Sequence, residues 1–67
     1  MERESVVSSN IESIGWENDI LEVEFLNGGI YQYFGVPKDV YEDMLIAESV
    51  GKYLHYYIKG FYNYQKV

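Results

Sequence analysis

The sequence predicts a small α+β domain, an antiparallel β-meander of three to four strands with two short helices. Three observations predict it. Leu21, Val23 and Phe25 alternate with Glu22 and Glu24, which is the period of a strand buried on one face. Asn27-Gly28-Gly29 follows at once, residues suited to the positive φ of a tight hairpin, and Ile30 to Phe34 reads as the returning strand. Pro37 then closes the strand pattern, and apolar residues resume at helical spacing.

The elements follow in order. Ser5-Val6-Val7 is β-like and runs into Ser8-Ser9-Asn10, a polar cluster able to make Asx and Ser turns. Ile11 to Trp16 alternates loosely as a short strand, and Glu17-Asn18-Asp19 is a turn leading to the strand Ile20–Leu26. Beyond Pro37, Lys38 to Glu48 places Val40, Tyr41, Met44, Leu45 and Ala47 on one helical face, with Asp39 where a negative charge suits the helix N-terminus. Ser49 is a candidate cap for a second helix with apolar positions Val50, Tyr53, Leu54, Tyr57 and Ile58, and Gly60 is its stop. Phe61 to Val67 alternates again, as a fourth strand or an extended arm.

The length of 67 residues allows one domain, spanning 1–67. A hydrophobic fraction of 48% and an aromatic fraction of 18% exclude a disordered segment. With no cysteine and one histidine, neither a disulfide framework nor a zinc site within one subunit can be built, and no cofactor is expected. No apolar run reaches the length of a membrane span and the polar start is unlike a signal peptide, so a soluble cytoplasmic protein with no membrane partner is expected.

Eleven acids against five bases give a net charge of −6, which opposes nonspecific nucleic-acid binding. The charge is unevenly placed, however. Lys52, Lys59 and Lys66 all fall in the C-terminal quarter, and Ser49 to Val67 holds no acid. The chain is acidic in its middle and basic and tyrosine-rich at its end.

Ser8-Ser9-Asn10-Ile11, Ile14-Gly15-Trp16, Leu21 to Phe25, Gly29-Ile30-Tyr31-Gln32-Tyr33, Val36-Pro37, Ala47 to Tyr53 and Ile58 to Tyr62 together resemble the KTSC domain, with its central Tyr-x-Tyr. That family is found at the C-terminus of some lysyl-tRNA synthetases and as stand-alone small proteins of bacteria and phages. The resemblance implies a binding module whose function is unestablished, with RNA of the tRNA kind as the suggested partner. His55 stands where typical members carry Asn, and Lys59 where they carry Arg. Lysine lacks the planar fork that pairs with phosphate and stacks on bases.

Tyr31 and Tyr33 leave β-structure on the same side, with Ile30, Gln32 and Phe34 on the other. They are either core residues whose hydroxyls reach the edge or a platform for base stacking, the latter if Ile30 and Phe34 face the core. Ser8, Ser9 and Asn10 either bond their own backbone or contact a ligand. Lys52, Tyr53, His55, Tyr56, Tyr57, Lys59, Tyr62, Tyr64 and Lys66 make the basic aromatic end a surface for RNA, for a nucleotide or for another copy of the chain. Tyr31, Tyr33, Ser8, Ser9, Asn10, Lys52, Tyr53, His55, Lys59 and Tyr62 are the ten candidate binding residues, and homo-oligomerisation is the alternative use of the tyrosines. His55 is the one side chain of the type that titrates near neutral pH, but neither a Gly-x-Ser-x-Gly motif nor a phosphate-binding glycine loop accompanies it. No enzyme is expected.

Overall fold

In the computed structural model, which describes Met1 to Val67, five strands form one sheet in chain order. They are β1 (Glu4–Ser5), β2 (Ile11–Glu17), β3 (Ile20–Phe25), β4 (Ile30–Phe34) and β5 (Tyr64–Lys66), and each neighbouring pair is antiparallel. Between β4 and β5 the chain forms α1 (Lys38–Leu45) and α2 (Val50–Tyr53), and α2 runs directly into a π-helical turn, Leu54–Ile58. The fold is the expected α+β meander: the tail pairs as the expected fourth strand, here β5, and residues at the start add one strand more, the two-residue β1. No helix is long and apolar enough to cross a membrane.

The two hairpins arise from local chemistry. Asn18 and Asp19 both adopt positive φ, 52° and 63°, in the two-residue link between the paired Glu17 and Ile20. Short polar side chains tolerate that conformation best after glycine, and its twist matches that of the flanking strands. The β3–β4 turn uses Gly28 at φ 93°, whose N–H donates to the Phe25 carbonyl at 2.9 Å. Asn27 Oδ1 accepts the Gly29 N–H at 2.9 Å and fixes the turn from within.

Register decides which face is core. Val23 stands opposite both Ile14 and Tyr31, and Leu21 opposite both Trp16 and Tyr33, so these six side chains share one face. The helices cover that face with Met44, Val50, Leu54 and Ile58, and Val36 closes it from the loop before α1. Each such side chain taken fully from water contributes about 1.5–3 kcal/mol. Tyr33, 3% exposed, is a core residue, whereas Tyr31 is half-buried. Ile30 and Phe34 lie on the opposite face and are also half-buried, so they do not form the core that a fully outward Tyr pair would need.

That opposite face is polar. Arg3 lies across it, pairing with Glu22, reaching Glu24 Oε1 at 3.3 Å and donating from Nε to Ser13 Oγ at 3.0 Å. Ser13 donates in turn to Glu24 at 3.1 Å, and Gln32 to Glu22 at 2.9 Å. Burial by itself would raise the Glu22 pKa, but the hydrogen bonds from Gln32 and Arg3, with the guanidinium charge, outweigh it and hold the carboxyl below its ordinary range. The N-terminal segment reaches this position because residue 15 is glycine. A Cβ there would run into the Glu2 carbonyl and meet Arg3 Cγ at 2.9 Å.

The helices are shorter than their sequence patterns. α1 stops at Leu45, and Ala47 lies in the link to α2. Ser49 caps α2, its Oγ accepting the Lys52 N–H at 3.2 Å. The π-helical turn closes when the Lys59 N–H reaches back to the Leu54 carbonyl at 2.9 Å, and Gly60 at φ 86° then turns the chain toward β5.

Candidate binding pocket

Where the helices leave off, the core face of the sheet opens into a pocket of about 760 Å³, within the range of small-ligand sites. Phe25, Tyr31, Tyr33 and Tyr64 supply its aromatic wall, Ser9, Asn10 and Asn27 its polar rim, and Leu26, Lys59 and Gly60 complete it. The strands set the rings. Phe25 ends β3, Tyr31 and Tyr33 alternate along β4, and Tyr64 stands opposite Tyr33 on β5. Tyr64 lies 5.9 Å from Tyr31 and 5.6 Å from Tyr33 by ring centroid, and Phe25 meets Tyr31 edge-on at 5.5 Å. These are ordinary separations for interacting rings.

Electrostatically the pocket differs from the chain around it. No carboxylate lines it, and the Lys59 amine sits over the Phe25 ring, 5.7 Å from its centroid. Burial, together with neighbouring Tyr64 and Tyr31, raises the Tyr33 pKa, so its hydroxyl remains a donor well above neutral pH. The pocket thus offers aromatic faces, amide and hydroxyl groups and one cation. That set suits a planar ring with polar edges and an attached anion.

The rim is held locally. Ser8 Oγ accepts the Asn10 and Ile11 N–H groups, both at 3.3 Å, and donates to Asn10 Oδ1 at 3.1 Å. The Asn10 carbonyl accepts from the Leu26 N–H at 2.9 Å. Gly51 lets α2 press against this loop, since a Cβ there would stand 2.7 Å from Asn10 Oδ1.

Of the ten expected residues, the structure brings Ser9, Asn10, Tyr31, Tyr33 and Lys59 together in this pocket, with Ser8 behind them as support. Lys52 and Tyr53 lie instead in a second cleft of about 360 Å³ with Ser49, Glu48, Tyr56 and Tyr57. There Tyr53 and Tyr57 pack at 4.8 Å, and burial followed by the charges of Asp43 and other neighbours raises the Tyr53 pKa. Tyr62 is half-buried against the core, and exposed His55 packs edge-on to Tyr56 at 5.0 Å. Phe25, Leu26, Asn27, Gly60 and Tyr64 were not among the ten. Phe25 occupies the last inward position before the Asn-Gly-Gly turn, and Tyr64 the alternating tail, so their spacing carried a signal.

Comparison with known proteins agrees with this architecture. The KTSC domain family model matches residues 7–64. The crystal structure of a KTSC domain protein from Yersinia pestis superposes with a TM-score of 0.93 at 38% identity, over 98% of this chain and 96% of that one. An uncharacterized protein of Stutzerimonas stutzeri is 39% identical over 61 residues, 88% of this chain and 86% of its own length. A lysine–tRNA ligase of a Nostoc species is 45% identical over 47 residues, which are 70% of this chain but 8% of the ligase.

Proposed function

This chain belongs to the KTSC domain family, and from that premise we propose that it is a non-enzymatic module that binds nucleic acid, RNA foremost, in the Tyr31–Tyr64 pocket. The observation that carries the reading is an aromatic pocket without a carboxylate, bordered by Lys59, in a chain of net charge −6. Tyr31 and Tyr64 present rings on which a base stacks, a contribution of about 1–3 kcal/mol per base. Lys59 meets the phosphate, and Asn10 and Asn27 meet the polar edge of the base. The similarity to a segment of a lysine–tRNA ligase supports RNA over other anions. Catalysis finds less support, because the one histidine packs against Tyr56 and pairs with no nucleophile.

Fluorescence anisotropy with a labelled mixed-sequence RNA oligonucleotide at low ionic strength tests the reading. Binding should weaken as salt is added, and Tyr31→Ala should weaken it about 5- to 150-fold, the equivalent of one lost stack. An absence of binding at low salt sinks the proposal.

A second reading, self-association with a nucleotide held between subunits, rests on the open edge of β5. Phe34 donates to Asn63 at 2.8 Å and Val67 to Ile30 at 2.8 Å. The antiparallel alternation therefore leaves the N–H and C=O groups of Tyr64 and Lys66 pointing away from β4. Exposed Phe61, Tyr64 and Val67 lie along the same segment. Lys66→Pro removes an outward N–H and spares the β4 ladder, so it should dissociate an edge-paired dimer in sedimentation. A monomeric parent protein at high concentration removes this reading.

A further inference from the structure

The pocket is an inward recess and its cations are few, and together these restrict the form of nucleic acid it can take. We infer, building on the nucleic-acid reading above, that the ligand is a single strand with an unpaired base on the Tyr31 and Tyr64 rings and two backbone phosphates, one held by Lys59 and one by Lys66.

Lys66 belongs to the basic aromatic end expected to meet a partner, though not to the ten candidate binding residues, and it stands beside the pocket rather than in its wall. The register brings it there. On β5 it stands directly opposite Tyr31, in a pair that exchanges no backbone hydrogen bonds, the type in which facing side chains come closest. Cross-strand partners share a face, so the Lys66 side chain rises on the pocket side next to Tyr31. Lys59 enters on the β3 side, where its amine lies 5.7 Å from the centroid of the Phe25 ring, and that ring lies 5.5 Å from Tyr31. Tyr31 thus stands between two cations. A base lying on it places the phosphates of its own backbone, on either side, toward opposite-charged groups.

Two lysines are too few to hold a duplex by charge alone on a chain of net charge −6. Ring stacking must supply the remainder, and in a duplex that face of the base is already occupied by its neighbours. Reaching Tyr31 would require the base to leave its stack, which costs least where it is already unpaired. A free mononucleotide meets the rings but brings phosphate to one side only. The geometry therefore favours an unpaired segment at least two phosphates long, and its sequence preference should be weak because every base has a face to stack.

The test compares a single-stranded RNA oligonucleotide, the same sequence annealed to its complement, and a mononucleotide, each against the full chain across a salt series. The single strand should bind at least tenfold more tightly than either competitor. The logarithmic salt slope should be about −1.4, the value for two phosphate contacts on a single strand, and should fall to about −0.7 in Lys59→Ala and in Lys66→Ala. Lys66 is exposed, and unchanged circular dichroism of its variant would show that the loss is not one of folding. Equal binding of single strand and duplex, equal binding of the mononucleotide, or a slope that Lys66→Ala leaves unchanged would each overturn this inference while leaving the nucleic-acid reading in place. No binding of any of the three at low salt would overturn both.

Discussion

The indole N–H of Trp16 donates to the main-chain carbonyl of Val36 at 2.7 Å, so strand β2 directly holds the loop that carries the chain from β4 into α1. Val36 is fully buried, and its N–H is in turn bonded to the Asp19 carbonyl at 2.9 Å. Trp16→Phe keeps an aromatic ring but leaves the Val36 carbonyl without its donor. The expected cost is about 1–3 kcal/mol. It should appear as a lower urea midpoint with an unchanged slope, which distinguishes a lost bond from a changed denatured state.

Gly15→Ala should be more damaging than its position in the middle of β2 suggests. Alanine suits a strand no worse than glycine, yet here the new methyl group would meet the Glu2 carbonyl and Arg3. The N-terminal segment must move, and Arg3 with it. Overpacking of this kind costs about 1–3 kcal/mol. Hydrogen exchange should show faster labelling of the β1 amides in the variant than in the parent protein, with β3 and β4 less affected.

Acid should weaken the same polar face. The folded-state pKa of Glu22 is depressed below its ordinary 4.5, so its contribution is complete above that value and is lost as pH falls through the lower folded value. Stability should therefore decline below about pH 4.5. Glu22→Gln should flatten part of that decline, while being less stable than the parent at neutral pH. A parent and variant with parallel stability–pH curves from neutrality into acid would contradict the assignment.

Ser49→Ala removes the side chain that accepts the Lys52 N–H at the start of α2. A lost N-cap costs about 0.5–2 kcal/mol. The effect should reach Lys59, because the π-helical turn that positions it continues from α2 without interruption. Thermal unfolding gives the stability change. Broadened amide signals at Leu54 to Lys59 in NMR spectra would show that it propagates.

The strands and turns were legible because their determinants are local. Glu22 and Glu24 fix the phase of β3, and Asn18-Asp19 and Asn27-Gly28-Gly29 supply the backbone conformations that turns require. On β4 alone the phase was undecidable, since Ile30 and Phe34 are as apolar as Tyr31 and Tyr33. Register resolves it: Val23 faces Tyr31, so the tyrosines inherit the core phase that β3 states plainly. The early end of α1 and the π-helical turn were not legible, because packing between elements rather than periodicity determines them. The pocket was half legible for the same reason. Tyr31, Tyr33, Lys59, Ser9 and Asn10 were expected, but only the pairing of β5 with β4 adds Tyr64 to them and sets Lys66 beside the pocket.

The order of strands in the sheet follows the order in the chain, and this has a kinetic consequence. The three hairpin contacts from β1 to β4 each close a short loop, whereas β5 reaches β4 only after the whole helical excursion from Gly35 to Asn63. Longer loops cost more entropy to close, and the three residues of β5 are all exposed. β5 should dock late in folding and open most readily afterward, in a local fluctuation that leaves the other four strands intact. Tyr64 and Lys66 would then come and go as a gate, and a ligand seated against both would be felt first as slower exchange of the β5 amides.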